Sequence, residues 1–266
     1  MILKRKIYKK LLEWKNECQG KKALLIEGAR RIGKSTICEE FGKNEYESYL
    51  LIDFAKKDKE VEMYFERYLN DLDTFFMLLQ THFGTKLTER NSLIIFDEVQ
   101  MFPQARAAIK YLVADGRYDY IETGSLISIR ENVKNIVIPS EERNINMYPL
   151  DFEEFAIALE EDLLVEYIKK CFEKREPLER SMHNQAMLLF HQYMLVGGMP
   201  MPVVAFIESK KDFTEADKEK RDILKLYRED IMKIDMRYRS KVLAIYDQIP
   251  GFLSQHEKRV VFKKLQ

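Results

Sequence analysis

The feature that most constrains this chain lies near its amino terminus, where an apolar run is followed by a loop with two glycines and then by a helical pattern. Residues 23–36 read ALLIEGARRIGKST. The run that opens this stretch is apolar on both faces, which is typical of a strand buried inside a parallel sheet. Gly28 and Gly33 supply the backbone freedom that a tight loop needs. The stretch therefore predicts a strand, a loop and a helix in that order.

Apolar runs and helical patterns alternate over the first half of the chain. Four more runs have the composition of strands: Tyr49–Phe54, Ser92–Glu98, Tyr118–Gly124 and Ile145–Leu150. Between the second and third predicted strands, apolar side chains recur at helical spacing in two segments, and Gly84 is placed to end the second helix. Alternation of this kind predicts a parallel sheet covered by helices, which is an α/β fold.

The glycine loop satisfies the pattern G-x-x-x-x-G-K-[ST] through Gly28, Gly33, Lys34 and Ser35. In such a loop the backbone N–H groups curl around an anion, and the helix that follows directs the positive end of its dipole at the same point. Lys34 adds a mobile positive charge, and Ser35 is placed to bind Mg²⁺. The loop therefore predicts a site for the phosphates of a nucleotide. The alternative is a glycine turn with no ligand.

Two acids follow the third predicted strand, in the segment LIIFDEVQ. Ligands bind at the carboxyl ends of strands in open α/β sheets, and the strand delivers Asp97 and Glu98 to that edge. Asp97 is suited to complete the Mg²⁺ site. Glu98 is suited to polarise a water molecule for attack on the terminal phosphate, so the pair predicts hydrolysis.

The fourth predicted strand ends in ETGS, which brings Thr123 and Ser125 to the same edge. A hydroxyl group there is suited to contact the terminal phosphate and orient the attacking water. The alternative is that both hydroxyls cap a turn or the next helix. An arginine from a neighbouring subunit is a further hypothesis, because a charge inserted beside the transferring phosphate accelerates the reaction. The candidates are Arg106, Arg130 and Arg143.

After the segment MYPLDFEEF the chain is predicted to be helical. Asp151 and Glu154 have the spacing of a capping box, which starts a helix. A second helical pattern predicts that one apolar face is buried: Leu163, Leu164, Tyr167, Ile168, Cys171 and Phe172. A third, Met187–Val196, ends at GGMP. The charged stretch 208–222 is predicted to be a solvated loop and the start of a helix.

Composition limits the location of the protein and the partners it attracts. The 266 residues include 44 Lys and Arg against 44 Asp and Glu, so nucleic acid binding would have to come from a local cluster. Three widely spaced cysteines argue against a disulfide framework and a zinc site. The amino terminus has the pattern of a basic amphipathic helix rather than a signal peptide, and no 18 consecutive residues are apolar. We therefore expect a cytoplasmic protein with no membrane partner.

Five segments, taken in order, resemble the prokaryotic AAA-type ATPases of the archaeal-ATPase-like group: GARRIGKST, LIIFDEVQMFP, ETGSLIS, MYPLDFEEF and YMLVGGMP. The resemblance implies a P-loop NTPase of the additional-strand (ASCE) type, with sheet order 5-1-4-3-2 and a mainly helical C-terminal domain. It implies an AAA-type ATPase domain over residues 1–160, followed by a helical lid and partial C-terminal domain over 161–266. Members of that group usually continue beyond VVFKKLQ into a domain of unknown function, so we expect that domain to be truncated here.

The resemblance also implies ATP and Mg²⁺ as ligands and assigns residues to each. Mg²⁺ is expected at Ser35 and Asp97, and the catalytic residues are expected to be Glu98, Lys34, Thr123 and Ser125. ATP is expected to bind along the loop: Gly28, Ala29, Arg30, Arg31, Ile32, Gly33, Lys34, Ser35 and Thr36.

The sequence leaves open what hydrolysis drives. One hypothesis is coupling to DNA through the basic clusters at 4–10, 237–241 and 256–264. The other is a nucleotide-dependent switch with slow turnover, which acts on a protein partner or a second copy of the chain. A small-molecule kinase is a weaker alternative, because a water-activating acid at Glu98 has no role when the nucleophile is a substrate hydroxyl.

Overall fold

The computed structural model describes residues 1–125 and 141–254. The chain forms two compact units, residues 1–200 and the residues from Met201 onward. The first unit thus continues past residue 160, where the sequence predicts the end of the ATPase domain.

Within the described residues, five parallel strands form one sheet with the order β2-β3-β4-β1-β5. The strands are β1 (Ala23–Glu27), β2 (Ser48–Asp53), β3 (Ser92–Asp97), β4 (Asp119–Gly124) and β5 (Glu142–Asn146). This order confirms the predicted sheet, with β1 between β4 and β5. All the strands run the same way, so the carboxyl ends of β1, β3 and β4 meet at one edge, where the predicted site residues lie.

The two edge strands differ from the prediction. The last strand was expected at Ile145–Leu150, but β5 ends at Asn146, and most of its side chains are partly or fully exposed. Met147 and Leu150 are buried outside the strand. An edge strand has only one hydrogen-bonded neighbour and need not be apolar, so the apolar run marked the buried segment that follows β5. β2, at the opposite edge, is also only partly buried.

Helices cover both faces of the sheet in the first unit. The helices of this unit within the described residues are α1 (Ile7–Cys18), α2 (Lys34–Glu45), α3 (Lys59–Arg67), α4 (Leu72–Phe83), α5 (Pro103–Asp115), α6 (Phe152–Ala158), α7 (Asp162–Lys174) and α8 (Arg180–Val196), of which α1 to α5 pack on the sheet. Successive strand residues face opposite sides, so Leu25, Ile94 and Phe96 pack with α3, α4 and α5. Leu24 and Ile95 pack with α1 and α2 on the other side.

Two helix predictions have different outcomes. The capping box at the start of α6 is confirmed, because Asp151 accepts from the Glu154 N–H and Glu154 accepts from the Asp151 N–H. The prediction that the whole apolar face of α7 is buried is wrong at its ends, since Leu163 is 81% and Phe172 is 83% exposed. Periodicity gives the direction of an apolar face, but it does not determine how much of that face a neighbour covers.

The second unit is helical over its described residues. α9 (Pro200–Glu208) begins at the last residue of the first unit and is followed by α10 (Phe213–Ile231) and α11 (Met236–Ser254). Asp212 caps α10 by accepting from the Thr214 N–H at 2.8 Å, so the charged stretch does lead into a helix. None of the helices that the structure describes is both long and apolar enough to cross a bilayer.

Candidate functional site

The loop between β1 and α2 requires glycine at both ends for different reasons. Gly33, the residue before α2, has φ of +89°, a conformation that side chains disfavour. At Gly28 the reason is space, because a Cβ atom there would lie 2.4 Å from the Met147 carbonyl oxygen and 2.5 Å from Ile32 Cδ1. The first glycine therefore lets the loop lie against the segment that follows β5.

Lys34 is the first residue of α2, and its side chain turns back across the loop. Its Nζ donates to the carbonyl oxygens of Gly28 at 3.2 Å and Ala29 at 2.9 Å. Burial lowers the pKa of Lys34, while the nearby Glu98 and Asp97 carboxylates act in the opposite direction. The ammonium group is thus held by loop carbonyls that an anionic ligand is able to replace.

Ser35 and Asp97 are brought together although 62 positions separate them. The Ser35 hydroxyl lies 2.8 Å from each carboxylate oxygen of Asp97. Thr123, on the neighbouring strand β4, also donates to Asp97 Oδ1. The contact follows from strand register: Phe96 pairs with Glu122, so the next residue on each strand lies at the same level.

These oxygen donors fit Mg²⁺. The ion prefers hard oxygen ligands and is usually held by one or two carboxylates together with substrate phosphates. In the described part of the chain, no three His, Cys, Asp or Glu side chains converge on a common point. The Ser35 hydroxyl at the start of α2 and the Asp97 carboxylate at the end of β3 match the ligand set of a site that phosphates complete.

Glu98 follows Asp97 in a left-handed conformation, with φ of +54°. Its N–H donates to Thr123 Oγ1 at 3.3 Å, and its carboxylate accepts from Gln100 Nε2. The two carboxylates therefore have different partners, although the residues are adjacent in sequence: Asp97 accepts from Ser35 and Thr123, and Glu98 accepts from Gln100. Thr123 is fully buried and contacts both of them, whereas Ser125, just beyond β4, is partly exposed.

The three candidate arginines lie in different surroundings. Arg106 is buried and donates two hydrogen bonds to Glu142, at 3.2 and 3.0 Å, so it is not available to reach a neighbouring subunit. Arg143 lies at the surface and donates to Glu17 at 2.6 Å. Arg130 lies outside the described residues.

Two residues at the site were not predicted. Arg5 donates to the Ile32 carbonyl oxygen within the loop, and Gln100 contacts Glu98. The sequence offered no signal for Gln100. Arg5 was noticed only as part of a basic cluster, because a partner 27 positions away leaves no local pattern.

Comparisons with known proteins give a family. A family model described as an AAA domain matches residues 20–156, just over half of the chain. No curated protein matches the sequence significantly. Among solved structures, C. elegans PCH-2 is similar, with 11% identity over 82% of this chain and 69% of its own, and a TM-score of 0.42. Aeropyrum pernix ORC1, solved in complex with DNA, has 10% identity over 100% of this chain and 81% of its own, with a TM-score of 0.40.

Proposed function

The chain belongs to the AAA domain family of P-loop ATPases, and from this premise we propose that it binds ATP in the loop between β1 and α2 and hydrolyses it with Mg²⁺. The observation that carries the proposal is the meeting of three distant segments at one edge of the sheet. Lys34 and Ser35 begin α2, Asp97 ends β3 and is followed by Glu98, and Thr123 lies one residue before the end of β4.

Each residue has a role that its surroundings support. Loop N–H groups from Gly28 to Thr36 bind the phosphates, and the Lys34 ammonium exchanges its carbonyl partners for phosphate oxygens. Ser35 and Asp97 would hold Mg²⁺, which neutralises phosphate charge when bound. The Glu98 carboxylate accepts a proton from the attacking water.

The two hydroxyl residues differ in role. Thr123 is buried, and its hydroxyl donates to the Asp97 carboxylate and accepts from the Glu98 backbone N–H, so it acts by positioning Asp97 and the turn at Glu98. For Ser125, orienting the water near the terminal phosphate stays a prediction.

Two substitutions test this function. Lys34→Ala should weaken ATP binding roughly 10- to 100-fold, since a charge-assisted hydrogen bond is worth about 1.5–3 kcal/mol. Glu98→Gln should retain ATP binding and lower turnover on the order of 100-fold or more. Lys43→Ala is the matched control, because Lys43 lies exposed in the last turn of the same helix. Unchanged ATP affinity in Lys34→Ala would refute the phosphate site. Parental turnover in Glu98→Gln would show that Glu98 is not the general base.

Of the two hypotheses for what hydrolysis drives, contacts within the first unit favour the switch. The segment after β5 lies against the loop at Gly28, where an added Cβ atom would overlap Met147 O, and the Met147 N–H donates at 2.8 Å to Glu27 O, at the end of β1. The same segment binds the turn after α8, where the Leu150 N–H donates to Gly198 O at 2.7 Å. A change in the shape of the loop would therefore be transmitted through residues 147–150 to the turn after α8. Protein mass measured with ATP and with ADP, at several concentrations, tests whether nucleotide changes self-association.

A further inference from the structure

One buried ion pair contacts the phosphate loop without belonging to the groups that act on phosphate. It joins Arg5, just before α1, to Glu154 in α6, and the side chains are only 6% and 7% exposed. We propose that Arg5 and Glu154 form a positioning pair that holds the loop in the shape required for nucleotide. The inference rests on the proposed function, because it concerns the same site.

The Arg5 guanidinium bridges three segments of the first unit. Its Nε donates to Glu154 Oε1 at 3.3 Å, its Nη1 to Ile32 O at 3.0 Å and its Nη2 to Tyr148 O at 2.5 Å. One side chain thus connects the loop, the segment after β5 and the start of α6. A planar group with several fixed donors is suited to this task, and a lysine ammonium is not.

Glu154 is in turn held in place by more than its ion pair. Its Oε1 also accepts from the Lys6 N–H at 2.6 Å, and its Oε2 accepts from the Asp151 N–H at 3.2 Å. The capping box of α6 accounts for the second bond only. Glu154 Oε1 faces the segment before α1 and holds the Arg5 guanidinium in one orientation.

The bond to Ile32 acts at the point where the loop backbone needs support. Ile32 lies between Arg31, with φ of +69°, and Gly33, with φ of +89°. Glycine adopts such a conformation readily, but for Arg31 it is uncommon and persists only where surrounding contacts hold it. The Ile32 side chain is fully buried, and its carbonyl is held by Arg5, so both sides of this residue are anchored.

Fixing that carbonyl also orients a phosphate-binding group. In a trans peptide the C=O of one residue and the N–H of the next point in opposite directions. The Ile32 C=O points at Arg5, so the Gly33 N–H points away from it. Arg5 therefore selects the peptide orientation at the last turn of the loop before α2, where an anion would be bound.

The test compares ATP affinity, KM and kcat in four variants: Arg5→Gln, Arg5→Lys, Glu154→Gln and Arg117→Gln. We expect Arg5→Gln to weaken ATP binding about 10-fold and raise KM to a similar extent, with kcat changed less than about 2-fold, because phosphate binding is affected and the water-activating group is not. Glu154→Gln should have a smaller effect in the same direction. Arg5→Lys keeps the charge beside Glu154 but cannot reach both carbonyls, so its affinity should resemble that of Arg5→Gln.

Arg117→Gln is the matched control. Arg117 also makes three hydrogen bonds, two to Asp115 and one to Asp73, but it lies just before β4, at the amino ends of the strands, whereas the site lies at their carboxyl ends. It should lower the Tm without changing ATP affinity. Equal weakening by Arg117→Gln and Arg5→Gln would overturn the proposal, since general destabilisation would then explain both.

Lys34→Ala separates the two possible failures. If it loses ATP while Arg5→Gln and Arg5→Lys bind as tightly as the parent, the positioning pair is refuted and the proposed function stands. If Lys34→Ala itself binds normally, the phosphate site is refuted and the inference with it. Should Arg5→Gln fold poorly, Arg5→Lys decides the question, because parental affinity in that folded variant contradicts the need for the guanidinium.

Discussion

Among single residues, the most unusual charges outside the loop are two glutamates buried against one arginine. Arg106 in α5 donates both its hydrogen bonds to Glu142 at the start of β5. Glu122 in β4 is fully buried, and its pKa is raised well above the ordinary value, first by burial and then by the neighbouring Glu142, with Arg106 opposing the shift. A protonated Glu122 is then able to donate to Glu142, so the neutral acid completes the cluster.

The raised pKa of Glu122 predicts how folding stability depends on pH. The folded state keeps a proton that the unfolded chain releases near pH 4.3. The stability that this difference in proton binding provides is therefore fully present below that pH and is lost as pH rises through the folded pKa of Glu122. Glu122→Gln remains a neutral hydrogen-bond donor and should make the free energy of unfolding less dependent on pH above about 4.3. Urea unfolding at a series of pH values measures this, with the exposed Glu66→Gln as control. Equal pH slopes in Glu122→Gln and the parent would contradict it.

A second prediction at this scale concerns the space at Gly28. A methyl group there would overlap the Met147 carbonyl oxygen and the Ile32 side chain. Overpacking of this kind typically costs about 1–3 kcal/mol, so Gly28→Ala should lower the free energy of unfolding by that amount. Gly251→Ala is the control, because nothing lies within 4 Å of its added atom and alanine favours a helix by about 0.5–1 kcal/mol. A neutral Gly28→Ala would mean that the loop and the Met147 segment separate readily.

At the scale of elements, the end of α8 is attached to the segment before α6. The Tyr193 hydroxyl donates to Leu150 O at 2.9 Å, and a Cβ atom on Gly198 would lie 2.1 Å from the same oxygen. Tyr193→Phe should therefore lower the free energy of unfolding by about 1 kcal/mol. Tyr167→Phe is the control, since its hydroxyl makes an exposed bond to the Glu179 N–H. Equal stability losses in the two variants would argue against a specific role for this attachment.

The predictability of each element depended on how local its determinants are. β1, the loop and the start of α2 were located from sequence because each is encoded by its own residues, down to the capping glycine at Gly33. The predicted position of β5 was wrong because this edge strand is stabilised by backbone pairing with β1, and such pairing leaves little trace in the side-chain pattern. The exposed Leu163 and Phe172 show the corresponding limit for helices, since burial of an apolar helix face depends on whether a neighbouring element packs against it.

Across the whole molecule, contacts between distant residues that belong to no known motif were the part that the sequence could not supply. Asp97 and Ser35 were predicted to meet because both belong to a known chemical pattern at strand and helix ends. Arg5 and Glu154 are 149 positions apart and belong to no such pattern. Their contact arises only because the fold of the first unit brings the segment before α1 against the start of α6, which explains why this pair was not predicted although the meeting of Ser35 and Asp97 was.

The distribution of charge over the whole chain leads to a last prediction, about DNA. Acidic and basic residues balance at 44 each, so no overall field attracts a polyanion. The amino-terminal cluster is also reduced by internal contacts: Arg5 binds Glu154, and Lys6 lies 2.6 Å from Asp151 and 2.7 Å from Glu153. In the second cluster, Arg237 pairs with Asp235.

In the described parts of these clusters, fewer cations are then left to contact phosphates; the third cluster, 256–264, lies outside the described residues. Each phosphate contact adds about 0.9 to the salt dependence of DNA affinity. We expect duplex DNA to change ATP turnover less than about 2-fold at roughly 0.15 M salt, and any binding at low salt to have a shallow salt slope. The measurement is turnover with and without DNA across salt concentrations, for the parent and for a variant with Lys4, Lys9 and Lys10 changed to alanine. Strong stimulation by DNA that fades with salt and is lost in this variant would instead support coupling to DNA, because those exposed lysines are the cations of the first cluster that internal ion pairs leave at the surface.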